Sequence, residues 1–171
     1  MRRLLLYRHA KSAWDDPALD DFERPLAPRG RLAAPRMARA MAEMNWLPDR
    51  IVASPAERAR QTWALAAPLL PNLPKPIFSK DLYMASPAAL LKVVRATPPE
   101  VVTLLLLGHN PGLERFAAKL AGAGSDEQAY RRLLRKFPTA ALAFLELEAE
   151  WARLSWSGAR LVHFLRPRDL E

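Results

Sequence analysis

The stretch that decides the reading is residues 1–14, MRRLLLYRHAKSAW. Two arginines lead into a short apolar run, Leu4-Leu5-Leu6-Tyr7, which ends at once in Arg8-His9. A secretory signal needs about 7–15 apolar residues and then a small-residue cleavage site, so a signal peptide is the poorer reading. The run has the length of a buried strand, although periodicity alone does not separate that from a helix fragment. As a strand it delivers Arg8 and His9 at its carboxyl end, where open α/β sheets bind their ligands.

Composition narrows the classes. The 171 residues are expected to form one domain, residues 1–171, large enough for a substantial core. The strongest apolar run, VVTLLLLG, is strand-sized and far short of the ~18 residues of a membrane span. A cytoplasmic location with no membrane partner is therefore expected. The absence of cysteine removes disulfides, thiolate zinc sites and cysteine nucleophiles. His9, His109 and His163 are far apart and lack metal-ligand spacing, so neither a metal nor another cofactor is expected. A net charge of +8 raises the question of a nucleic-acid partner. Arginine, however, greatly outnumbers lysine, and Ala, Leu and Pro are abundant too, the joint pattern of a genome-wide codon preference. A nucleic-acid partner is thus not expected, though a basic surface still attracts phosphate-bearing substrates.

Apolar strand-like runs alternate with helical patterns along the chain. PRGRLAAPRMARAMAEMNW (28–46) reads as a helix with Leu32, Met37, Met41 and Met44 near one face and Pro35 in its first turns or at a kink. DRIVASP (49–55) reads as a second strand. A second helix follows with Ser54 as N-cap, Pro55 at the first helical position and Glu57 at N3. IFSKDLY (77–83) is an edge strand or extended segment, and SPAALLKVVRA (86–96) caps and starts a third helix. EVVTLLLLGHNPG (100–112) is a buried strand with a loop, and GLERFAAKLAG (112–122) a fourth helix stopped by Gly122 and Gly124. PTAALAFLELEAEWARLSW (138–156) reads as two strands able to pair as a hairpin, and ARLVHFLRP (159–167) as a last strand or tail. The sum is an α/β fold, largely parallel, with antiparallel strands at one edge.

Three strand ends carry the chemistry: Arg8-His9, SPAERARQT (54–62) and GHNP (108–111). In a parallel sheet those ends point the same way, so Arg8, His9, Arg58 and His109 are expected to meet in one pocket. Two guanidiniums and two imidazoles make a poor core and a good oxyanion site, since arginine forks match phosphate oxygens. A neutral imidazole is a nucleophile near pH 7. His9 is the candidate to take a phosphoryl group, with Arg8 and Arg58 neutralising its equatorial oxygens and His109, if protonated, donating a further hydrogen bond. His163 and Arg60 are expected to be structural and surface residues. A cysteine phosphatase needs a cysteine, a haloacid-dehalogenase type needs Asp-x-Asp after its first strand, and no Walker loop is present.

RHAKSAW, SPAERARQT and LLGHNPG together resemble the three signatures of the histidine phosphatase superfamily, the phosphoglycerate-mutase-like fold. With the RHA form of the first motif, KSxW, DLYMAS and the short length, the chain is similar to the SixA-like phosphohistidine phosphatase branch, from residue 3 to about 167. The resemblance implies a three-layer α/β/α sandwich. It implies a metal-independent phosphatase with His9 phosphorylated, Arg8 and Arg58 as clamps and His109 as second histidine. Ser12, inside the first motif, is a further candidate for substrate binding.

Two departures from the family pattern matter. Asp15 stands where mutase-like members often have asparagine, and a carboxylate facing a phosphate is unfavourable. Asp15 is expected to turn away, a role as acid or base being the alternative. Met84 stands where members acting on alkyl phosphates have a glutamate; Asp81 is the nearest candidate acid, with a plain loop residue as the alternative. An alkoxide leaving group needs a positioned proton donor, whereas the imidazole of a phosphohistidine needs less help. The interval from Pro71 to Val101 leaves little chain for a lid. The leading expectation is dephosphorylation of phosphohistidine on a partner protein such as a histidine phosphotransfer domain. The alternatives are a phosphomonoesterase acting on a small phosphorylated metabolite or nucleotide, and a non-catalytic basic binding protein retaining the fold.

Overall fold

The computed structural model describes all of residues 1–171. Six strands form one sheet: β1 (Arg2–Arg8), β2 (Arg50–Ala53), β3 (Ile77–Phe78), β4 (Thr103–Gly108), β5 (Leu142–Leu147) and β6 (Arg160–Leu165), in the order β3-β2-β4-β1-β5-β6. β1, β2, β3 and β4 pair in parallel. β5 pairs antiparallel with both β1 and β6.

Side-chain alternation along the central strands builds two cores. Leu4 and Leu6 of β1 and Leu104 and Leu106 of β4 face one way; Leu5, Tyr7, Leu105 and Leu107 face the other. Both faces are apolar, as a parallel sheet covered on both sides requires. On the first face lie α3 (Pro87–Arg95), α4 (Gly112–Leu120) and α5 (Glu127–Arg135), which contribute Leu90, Val94, Phe116 and Leu133. On the second lie α1 (Pro28–Glu43) and α2 (Glu57–Ala66), which contribute Met37, Met41 and Trp63. The result is the expected α/β/α sandwich.

Register positions the site. Arg8 at the end of β1 lies opposite Gly108 at the end of β4, and Ala53 at the end of β2 lies opposite Leu107. Three strands therefore release their chains at one level, with His9, Ser54 and His109 as the first residues out.

Several local expectations are corrected. The buried face of α1 is Gly30, Ala34, Met37, Ala38, Ala40 and Met41, while Leu32 and Met44 are exposed. Residues 30, 34, 37 and 41 follow the helical i, i+4, i+7 spacing and Leu32 does not, while Met44 is the C-cap, past the end of the helix at Glu43. Pro35 sits in the interior of α1, which continues through it. α2 begins at Glu57 with Ala56 as its N-cap, not at Ser54, because the Ser54 hydroxyl is engaged elsewhere. α5 is an element the sequence pattern does not predict; Asp126 caps it by accepting from the Ala129 amide at 2.8 Å. Residues 138–156 hold one strand, β5, and a short 3-10 turn at Trp151–Arg153 rather than two strands; the antiparallel partner of β5 is β6. Trp151 is fully buried and donates its indole N–H to the Val101 carbonyl, which makes the segment a core anchor.

Candidate active site

The chain leaving β1 is fixed before any side chain acts. The His9 amide donates to the Gly108 carbonyl at 3.2 Å, and the Ala140 amide donates to the His9 carbonyl at 3.0 Å. The Ala10 amide donates to Thr62 Oγ1 at 3.0 Å, and that hydroxyl donates to the Arg58 carbonyl at 2.7 Å. Thr62 thus ties the loop behind His9 to the first turn of α2, which carries Arg58. α1 closes the other side: the Ala27 amide donates to the Lys11 carbonyl at 2.8 Å. Gly30 lies so close that a Cβ there would sit 2.3 Å from the Lys11 carbonyl oxygen, so only glycine fits.

The His9 ring is buried, and its Nδ1–H donates to the Ala10 carbonyl at 2.7 Å. That bond selects the tautomer with an unprotonated Nε2. Burial, then the neighbouring His109, Arg58 and Arg8, lower the His9 pKa to about 3, so the ring is neutral at physiological pH. His109, with its centroid 5.1 Å away, is lowered to about 3 by burial and by Arg58. Its Nδ1 accepts from Arg58 Nη2 at 3.3 Å, so its Nε2–H donates to Ser54 Oγ at 2.7 Å. His109 is therefore a neutral acceptor toward Arg58 in this state; donating from Nδ1 to a phosphoryl oxygen requires that it gain a proton when the anion binds.

Arg58 is 2% exposed and is held along its outer edge by Asp21: Nη1 donates to the Asp21 carbonyl at 2.6 Å and Nη2 to its carboxylate at 2.9 Å. Its inner edge faces the imidazoles, with Nε–H directed to His9 Nε2 at 3.4 Å. That long contact is weak and readily exchanged for an anionic oxygen. Arg8 is anchored by Nη1 on the Phe137 carbonyl at 2.8 Å, which also accepts from Asn110 Nδ2, while Arg8 Nε has no partner.

These groups line a hollow of about 290 Å³ that includes Arg8, His9, Ser12, Arg58 and His109. Four cations, Arg8, Lys11, Arg24 and Arg58, stand against a single carboxylate, Asp21, which suits an anion. A larger hollow of about 580 Å³ beside β3 holds no histidine. Asp81 belongs to that second hollow, and Asp15 is exposed and lines neither. Met84 stands on the rim of the site, 51% exposed.

Asp21 was missed in sequence. It also accepts from Tyr83 Oη at 2.5 Å and pairs with Arg24. Burial opposes its ionisation, but the hydrogen bonds from Tyr83, Arg24 and Arg58 outweigh that and hold its carboxyl well below the usual range. It is an orienting anion, not a proton donor. Arg24, Ser54 and Thr62 were missed as well. The spacing of Asp21 and Arg24 was the only local signal.

The model of the histidine phosphatase superfamily (branch 1) matches residues 4–80. An uncharacterised protein of Mycobacterium tuberculosis is 37% identical over 164 residues, covering 94% of this chain and 99% of its own. Among solved structures, the "putative phosphohistidine phosphatase SixA" of Agrobacterium tumefaciens is 31% identical with a TM-score of 0.82, covering 97% of this chain and 98% of its own. A similarly named protein from Nakamurella multipartitia is 29% identical with a TM-score of 0.80, covering 97% and 96%.

Proposed function

This chain belongs to the histidine phosphatase superfamily and is a SixA-like phosphatase, and from that premise we propose that it hydrolyses phosphohistidine on a partner protein through a phosphoryl group carried on His9. The observation that carries the reading is the His9 ring: neutral, held through Nδ1, with its Nε2 lone pair at a hollow rich in cations.

In the first step the Nε2 lone pair forms a bond to phosphorus while the P–N bond to the substrate imidazole breaks. The leaving nitrogen keeps that electron pair and, with the far ring nitrogen already protonated, the group departs as neutral imidazole. Arg8 and Arg58 hold the equatorial oxygens as charge spreads over them. Water then attacks phospho-His9, inorganic phosphate leaves, and the Nε2 lone pair is restored.

Two features support a protein-borne substrate. Trp14 and Met84 on the rim are 70% and 51% exposed, so the hollow is open. Between α2 and β4 the chain holds β3, a 3-10 turn and α3, and α3 is spent on packing against α4 and the core rather than as a lid. The site also lacks a carboxyl poised to protonate an alkoxide, since Asp21 is held ionised. A panel assay tests the proposal: phosphohistidine-bearing protein against several phosphomonoesters, with His9→Ala alongside. The expected result is fastest turnover of phosphohistidine and none by the variant. Faster turnover of a small phosphomonoester would overturn the substrate; activity in His9→Ala would overturn the nucleophile.

A further inference from the structure

Trp14 closes the RHAKSAW motif, and nothing in the chemistry above uses it. It lines the same hollow as His9 and is 70% exposed. One face is covered: the Arg24 guanidinium carbon lies 3.2 Å from the ring centroid. Arg24 is itself 6% exposed, with one nitrogen on Asp21 and with Nε and Nη1 buried without a partner. The other face of the indole is open.

We propose that Trp14 is a specificity-determining residue: its open face receives the planar leaving group of the substrate, and Arg24 fixes the ring from behind. Under the reading of a phosphohistidine substrate, on which this inference rests, the ring received is the imidazole bonded to phosphorus. With its far nitrogen protonated that ring is an imidazolium while still bonded to phosphorus, and an imidazolium on an indole face is stabilised as a cation on a π-system; once the P–N bond breaks it leaves as neutral imidazole. Trp14 thus favours the protonated phosphoimidazole, the form whose P–N bond breaks to release a neutral leaving group. An alkyl phosphate offers nothing to the ring and gains nothing from it.

The test compares Trp14→Leu, Trp14→Phe and the unaltered chain on two substrate pairs. The first pair is phosphohistidine and phosphoramidate, which share a P–N bond but differ in the ring. The second is p-nitrophenyl phosphate and glycerol phosphate, which share a P–O bond and differ likewise. Trp14→Leu should lower kcat/KM for phosphohistidine about three- to tenfold, the strength of a ring–ring contact, and leave phosphoramidate unchanged. Trp14→Phe should keep most of the preference. Equal losses on both members of a pair, or no loss on either, would overturn the assignment. If the unaltered chain hydrolyses esters and not phosphohistidine, the substrate reading fails by itself. The aryl-to-alkyl ratio then decides for Trp14, and a ratio unchanged in Trp14→Leu would overturn it.

Discussion

Replacing Asp21 by alanine removes the carboxylate that holds Arg58, Arg24 and Tyr83 together. Taking away one partner of a fully buried ion pair costs about 3–5 kcal/mol, whereas an exposed pair contributes about 0–1 kcal/mol. Here the Arg58 side chain is 3% exposed and that of Asp21 45%, so solvent screens one end of the pair only. An intermediate value of about 2 kcal/mol follows. For a chain of this size that is a loss of about 4–8 °C in Tm. The Arg58 contact to the Asp21 backbone carbonyl survives the substitution, so the guanidinium is loosened and not released. If the same free energy is lost where Arg58 meets the phosphoryl group, kcat/KM falls about 30-fold. Inhibition by inorganic phosphate should weaken in parallel, because the clamp is disordered for product as for substrate. The assay is thermal unfolding together with kcat/KM and the phosphate inhibition constant for Asp21→Ala and Asp21→Asn, the latter falling between. A Tm that drops while both site parameters stay within twofold would show Asp21 to be structural only. Tighter phosphate binding in Asp21→Ala would show that the carboxylate competes with the anion, and would refute its positioning role.

Gly30→Ala should destabilise the chain by about 1–3 kcal/mol, because overpacking against the Lys11 backbone outweighs the roughly 1 kcal/mol helix preference for alanine; a stability gain in urea denaturation would contradict the close approach. Because Lys11 follows the His9 turn directly, the same variant should also lose activity at temperatures where it remains folded. His9 and His109 titrate near pH 3 in the native state, while an unfolded histidine takes up its proton near pH 6.5. Between those values the unfolded chain binds more protons, so stability is complete above about pH 6.5 and falls as pH drops toward 3. The loss is about 2 kcal/mol per histidine by pH 5. Urea midpoints from pH 7.5 to 4.5 should show this slope, and the His9→Gln, His109→Gln double variant should flatten it; equal slopes would contradict the burial argument.

The strands and most of the pocket were legible because their signals are local. Four apolar residues before Arg8-His9, and four leucines before Gly108-His109, announce buried strands whose ends must be polar. Parallel pairing alone then brings Arg8, His9, Arg58 and His109 together. The rest depended on contacts between segments far apart in sequence. The Ser54 hydroxyl satisfies the criteria for a helix cap, yet it pairs with His109, 55 positions away, and α2 starts later in consequence. Asp21 acquires its meaning from Arg58 and Tyr83, 37 and 62 positions on, and no pattern inside DDFERPL displays either partner. Asp15 and Asp81 drew notice by their nearness in sequence to motif residues, but neither reaches the hollow. Leu32 shows the limit of reading hydrophobicity by residue type: the sheet-facing side of α1 is made mainly of glycine and alanine, whose small size allows the close approach.

The central claim is that the phosphoryl group rests on His9 during turnover. Rapid quenching of the phosphatase with phosphohistidine-bearing protein under alkaline conditions, followed by peptide mass spectrometry, tests it directly. The account predicts an acid-labile phosphoryl group on the peptide containing His9, absent from His9→Ala. Release of phosphate at the full rate with no phosphoryl group on His9, or its appearance on another residue, would contradict it.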